Sequence, residues 1–443
     1  MPTLDVLSDL LSHAKRAGAD AADTILYAGT SVSVERRLGQ MEGLERSESR
    51  DLGLRVFVGN RSAIVSATSI DRSGFAALAA RAVAMARVVP EDPYGGLSEQ
   101  AAAPEDPAFL DLVDPQEPDL ASLIERAQTA EEAALQVQGV TNSEGGSAGF
   151  SRTDVFLATS AGFAGQFART HHSVSASVLA GTGTAMQRDY DYHGTVHLAD
   201  LDDPAVIGRR AGDRAVARLN PARPKTAKLP VVFDPRVSGS LVSHLSGAIN
   251  GASIARGTSF LKDKLGQRLF PAGIEIVDDP RRVRGGRSWT FDGEGVPTQR
   301  RAIVEDGVLQ TWLLDSRSAR QLGMASTGHA SRGTGGPPGP SATNLYMAAG
   351  TISAADMIGG IAEGLYVTEM IGNSLNGLTG DYSRGAAGFM IRNGALAEPV
   401  AEITVAGNLL DMFMHLTPAD DLVFRRGTDA PTILVEGLTL AGA

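Results

Sequence analysis

Two prolines set three residues apart, in Asn220-Pro221-Ala222-Arg223-Pro224-Lys225, interrupt both the helical and the strand periodicity of this chain. Before them, helix-like and strand-like runs alternate. After them, Leu229-Pro230-Val231-Val232-Phe233 opens as a buried strand, and the remainder reads mostly as strand and turn. The expectation is an α+β chain in two regions. Residues 1–222 are a mixed α and β region that may be divided again near 90–118, and residues 227–443 are mainly β with a long small-residue helix near their start. Composition agrees with many short strands joined by turns, since 51 of the 443 residues are glycine and only 5% are aromatic.

Leu4 to Ala17 carries apolar residues at helical spacing, and Ser73 to Val88 and Leu120 to Val137 do the same. Ser73 is the expected cap of its helix. Between these helices lie short β-like runs at 25–27, 31–35 and 54–58, with Gly59-Asn60 as a turn before Ala63. Pro90 to Pro118 reads as a long surface connection. Thr153 to Ala158 and His172 to Ala180 are strands. Asp203 to Leu219 is a helix with Pro204 in its first turn, and Arg236 to Ala255 is another. Asp306-Gly307 marks a hairpin.

A net charge of -11 argues against a nucleic-acid partner, which would need a basic face. With no cysteine, the chain has no disulfide, thiolate metal site or Cys nucleophile, which fits a reducing compartment. The N-terminus lacks the basic and apolar stretches of a secretory signal, and no run approaches the roughly 20 apolar residues of a membrane span. These features point to the cytoplasm.

Four motifs could carry chemistry. Gly145-Gly146-Ser147-Ala148-Gly149 matches the nucleophile-elbow pattern, but no buried strand precedes it and no helix follows, so it reads as a hairpin turn. Asp189, Asp191, His193 and His197 are the densest ligand-like group. On a strand the first three share a face and could hold a divalent metal, while the plainer reading is a strand end with solvated acids. Gly333 to Gly339 lacks the Lys-Ser/Thr of a phosphate loop and reads as an irregular loop. Arg281, Arg282, Arg284 and Arg287 form a basic cluster, readable as an acidic-peptide contact or as solvated loop charge. His244, in the small-residue run Val237 to Gly251, has no second ligand at zinc-helix spacing and reads as structural.

Several separated segments together resemble the TldD/PmbA family. They are Arg256-Gly257-Thr258-Ser259-Phe260, Leu265-Gly266-Gln267, Phe291-Asp292-Gly293-Glu294-Gly295, Thr343-Asn344-Leu345-Tyr346-Met347 and Gly380-Asp381-Tyr382-Ser383-Arg384-Gly385. Met186 to His193 and Gly53 to Gly59 are similar to its TldE (PmbA) branch, and the resemblance spans nearly the whole chain. In the TldD branch, a helix carries His-Glu-x-x-x-His for zinc and its general base. Counted back from Gly257, those places fall on Val242, Ser243 and Gly247, and the branch's C-terminal cysteine ligand falls near Thr417.

The resemblance implies a non-catalytic subunit with no cofactor of its own. It would act with a zinc-bearing TldD-like partner on unfolded peptides, including microcin maturation and antitoxin degradation. The alternatives are an autonomous metallohydrolase built on the Asp189, Asp191, His193 and His197 group, or a peptide-binding module without catalysis. The expected partners are the TldD-like subunit and peptide substrates, with a homodimer of the chain alone left open, and neither nucleic acid nor membrane.

Overall fold

In the computed structural model the described residues are 4–442, the side chain of Asn373 apart. The first half is built on one antiparallel sheet. Its strands are β1 (Ala21–Arg37), β2 (Gln40–Val58), β3 (Arg61–Ala67), β4 (Val140–Thr159), β5 (Ala164–Ala180) and β6 (Gln187–Thr195), in the order β3-β2-β1-β4-β5-β6. The short runs seen in sequence at 25–27 and 31–35 are one strand, because β1 pairs continuously with β4 from Asp23 to Arg36. The segments on either side of the 90–118 connection therefore share a sheet.

Two helix pairs cover one face of it. α1 (Leu4–Arg16) and α2 (Phe75–Val88) bury Leu7, Leu10, Phe75 and Val83 against Leu26, Leu52, Leu54 and Val56. Ser73 does not cap α2. Asp71 accepts its N–H and closes a 3-10 turn ahead of Phe75. α3 (Leu120–Leu135) and α4 (Pro204–Ala217) pack over β4 to β6. Their approach is set by small residues, since a Cβ on Gly208 would lie 2.0 Å from the Ala130 carbonyl oxygen.

The 90–118 connection is only partly a surface strand of chain. Leu110 and Leu112 are buried, Thr170 N–H donates to the Leu112 carbonyl (3.0 Å), and Asp114 N–H donates to the Thr170 hydroxyl (2.8 Å). This stretch is a strap fastened across β5.

The second half begins with β7 (Ala227–Phe233). It pairs in parallel with the strand Glu363–Leu375, which continues antiparallel into Asp381–Arg392 and Ala395–Asn408. Ile433–Ala441 pairs with both β7 and Ala395–Asn408, so five strands close into a barrel. Gly388, at a bulge in the Asp381–Arg392 strand, permits the coiling, because a Cβ there would meet the Tyr366 carbonyl at 1.9 Å. A smaller sheet of Ile276–Asp278, Arg301–Glu305, Val308–Leu309, Leu345–Met347 and Thr428–Asp429 lies beside the barrel. Asp306 and Gly307, at φ 46° and 77°, form the expected hairpin turn.

The long helix expected from Arg236 to Ala255 is two. α5 (Pro235–Ala248) stops at Ile249, and a short helix runs Gly251–Ala255. The break comes from tertiary bonding. Gly251 N–H donates to the Leu313 carbonyl (2.8 Å), Leu313 N–H donates to that of Ile249 (3.1 Å), and Asn250 caps the new helix.

Candidate functional site

α5 has two faces of opposite character. Asp234 caps it, accepting the Arg236 N–H (2.8 Å), and Pro235 sits in its first turn. Leu241, Val242, Leu245 and Ala248 enter the main core with Val231, Val367 and Leu365. Ser240, Ser243, His244 and Gly247, spaced for one helical face, border an open cavity of about 550 Å³. Phe260, Leu375 and Arg384 line it as well.

Three of the positions that the resemblance assigns to a zinc motif, Val242, Ser243 and Gly247, lie on this helix, and their donor set does not fit a zinc ion. Val242 offers no donor and is 1% exposed within the core. The Ser243 hydroxyl donates to the Gly239 carbonyl (3.0 Å), and Gly247 has no side chain. Thr417 is exposed on the short strand Leu416–Pro418. Zinc takes thiolate, imidazole or carboxylate ligands, and none of these four residues supplies one.

Two residues that line the cavity nevertheless carry buried polar atoms without partners among the described residues: His244 Nε2 and Ser240 Oγ. The His244 ring meets Tyr382 edge-on, with centroids 5.7 Å apart. Burial, and secondarily the nearby Arg384 guanidinium, push the His244 pKa down to about 4, so the ring is neutral near pH 7. Burial pushes the Tyr382 phenol up to about 12, against the opposing pull of Arg384. Tyr382 and Arg384 stood in the family-like segment, but their meeting with His244 depends on the barrel.

Asp189, Asp191 and His193 do share the inner face of β6, as the alternation predicts. They turn to separate partners there. Asp189 takes Arg236 (2.9 Å) and Arg218 (3.3 Å), and Asp191 takes Arg214 (2.9 Å). His193 Nδ1 accepts the Asp202 N–H (3.0 Å), which uses that lone pair, and burial lowers its pKa. His197 Nε2 lies 2.9 Å from the Asp111 carbonyl, so it carries a proton and holds the strap. Among the described residues no group of three or more His, Asp or Glu side chains converges as a metal site.

Gly145 to Gly149 is not a hairpin turn. It lies inside β4, where Gly145 (φ 125°) makes a bulge against β5. The glycine at 146 answers to packing, since its Cβ would lie 2.3 Å from the Ala127 carbonyl of α3. Gly333 to Gly339 is irregular as expected and lies between the paired residues Ala330–Ser331 and Gly339–Pro340. The arginine cluster is engaged: Arg281 with Glu105 (2.7 Å), Arg284 with Asp111 (2.6 Å) and Asp200 (3.0 Å), and Arg282 over the Phe424 ring (3.7 Å). The contacts with Glu105 and Asp111 pin the strap to the second half.

Sequence reasoning missed a buried charge node between the halves. Arg55 donates to Asp23 (2.9 Å), and Arg332, from the loop after Ala330, pairs with the same carboxylate. Burial works to raise the Asp23 pKa, and the two guanidiniums outweigh it and hold it below the usual range. Glu294 lies 3.8 Å from Arg55, and burial raises its pKa. Asp292 beside it is pushed up to about 8, by burial first and by Glu294 second, and accepts three backbone N–H bonds. The Phe291 ring of the same turn packs against Phe163 of the first half.

Comparison with known proteins accounts for this architecture. Three domain descriptions of the PmbA/TldA metallopeptidase family match the chain: domain 1 over residues 22–86, the central domain over 113–219 and the C-terminal domain over 226–442. Metalloprotease PmbA of Escherichia coli O157:H7 is 37% identical, covering 96% of this chain and 93% of its own. A homologue from Haemophilus influenzae is 34% identical, covering 97% and 94%. A crystal structure from Bacteroides thetaiotaomicron superposes with a TM-score of 0.91 at 27% identity, covering 99% of each chain. The crystal structure of TldE from Thermococcus kodakarensis shares the fold, with a TM-score of 0.87 at 20% identity, covering 99% of this chain and 100% of its own. With two long relatives above 30% identity and all three domains matched in order, the chain belongs to the PmbA/TldD metallopeptidase family, in its PmbA (TldE) branch.

Proposed function

We propose that this chain is the non-catalytic subunit of a zinc metallopeptidase, completing a peptide chamber around the metal site of a TldD-like partner. The observation that carries this reading is the donor set on α5. Where the zinc-bearing branch has two histidines and a glutamate, this helix has Val242, Ser243 and Gly247, and neither polarisation of a carbonyl nor activation of water can be built from them. The substrates on this reading are unfolded peptides in the cytoplasm, among them microcin precursors and an antitoxin.

The autonomous metallohydrolase has less support, because Asp189 and Asp191 pair with separate arginines, His193 and His197 bond to backbone groups, and among the described residues the four do not converge on one point. A direct test compares hydrolysis of an unfolded polypeptide by the purified chain, by the TldD-like subunit and by their mixture, with size-exclusion chromatography of each. The expected result is a mixed complex whose hydrolysis far exceeds that of this chain, which has none. Metal-dependent hydrolysis by this chain alone would overturn the reading.

A further inference from the structure

The polar face of α5 has lost the means to hold zinc but has not been filled. Natural interiors pair their buried polar atoms, and an unpaired one costs free energy comparable to a lost hydrogen bond. Here two such atoms belong to residues that line one cavity: His244 Nε2 and Ser240 Oγ. Their common neighbour is Arg384. Its Nε donates to the Gly372 carbonyl (2.8 Å), and its guanidinium has no carboxylate partner among the described residues. No Asp or Glu lines the cavity. The nearest acid on an adjoining hollow, Asp381, is held by the Thr379 hydroxyl and by Asn408 (3.0 Å).

A site with one uncompensated cation, two unspent neutral donors and no acid is complementary to a single negative charge. A guanidinium fork fits the two oxygens of a carboxylate, and neutral imidazole and hydroxyl can each donate one further bond. A doubly charged phosphate would call for a second cation, and the lining has none besides Arg384. The volume of about 550 Å³ lies within the range of small-ligand sites, and Phe260 and Leu375 add apolar walls for a side chain next to the anion.

We propose that this cavity is a carboxylate-binding subsite for an extended peptide, in which Arg384 pairs with the anion and His244 and Ser240 donate to it. The carboxylate belongs either to the peptide's C-terminus or to an Asp or Glu side chain. The subsite lies wholly within this chain and stands whether or not the chain works with a zinc-bearing partner.

The test uses the purified full chain alone and three probes: acetyl-tetraalanine with a free C-terminus, the same peptide amidated, and an amidated version with one glutamate. Calorimetric titration should show binding of one or both carboxylate-bearing probes and not of the amidated tetraalanine. Which of the two binds identifies the source of the anion. R384Q should weaken that binding by about tenfold or more, the scale of a lost charge-assisted bond. Should R384Q not fold, the His244 ring resonances of the wild-type chain provide the second readout. They should shift with a binding carboxylate probe and stay unmoved by the amidated one. Equal binding of all three probes, unchanged affinity in a folded R384Q, or a His244 ring that ignores the carboxylate probes would each overturn the proposal. None of these outcomes bears on whether the partner subunit carries the chemistry.

Discussion

His244 shows how a single residue can be placed by sequence while its surroundings are not. Its position on α5 was plain from the small-residue run, yet what surrounds it comes from the barrel strand that brings Tyr382 and Arg384. With its pKa depressed to about 4 in the folded chain, the ring stays neutral where an unfolded chain would bind a proton near pH 6.5. Its contribution to stability is therefore fully present above pH 6.5 and is lost as pH falls toward 4. H244Q should flatten the acid limb of the stability curve in that window and leave the limb above pH 7 unchanged. Urea midpoints measured from pH 4 to 8 check this, and an identical acid limb in both proteins would mean that His244 titrates normally.

At the scale of elements, glycines with different surroundings predict opposite effects. Gly208 on α4 lies under the Ala130 carbonyl, so G208A must force α3 and α4 apart and should cost about 1–3 kcal/mol. Gly247 in the last turn of α5 has open space where a Cβ would go, so G247A should stabilise by roughly 0.5–1 kcal/mol through the helix preference for alanine. Denaturant unfolding of the two variants measures both effects. The same contrast explains what the sequence could reveal. Periodicity located α1 to α4 within a few residues, because each buries one regular face, but it gave only parts of β1, β2, β4 and β5, whose long ends continue past their apolar stretches. It took Gly145 to Gly149 for a turn and ran α5 on to Ala255, because α3 packing at Gly146 and the Leu313 backbone at Gly251 are set by distant segments. The β6 acids were read correctly as sharing a face. Only the fold shows that Arg214, Arg218 and Arg236 reach them.

Across the whole molecule, the two halves are joined by buried charge as well as by apolar contact. Asp23 and Arg55 come from the first sheet and Arg332 from the second half, and all three are buried. Removing one member leaves a buried charge unpaired, so R332A should destabilise the chain by about 3–5 kcal/mol. Thermal unfolding of R332A should also separate the halves into two transitions if this node couples them, and a single unshifted transition would deny it that role. The central claim, that catalysis belongs to the partner, is tested most directly by the mixed complex in which the glutamate of the partner's His-Glu-x-x-x-His motif is changed to glutamine. The account predicts that peptide hydrolysis disappears while the complex still assembles. Hydrolysis that persists in that complex, with zinc bound stoichiometrically to this chain, would contradict it.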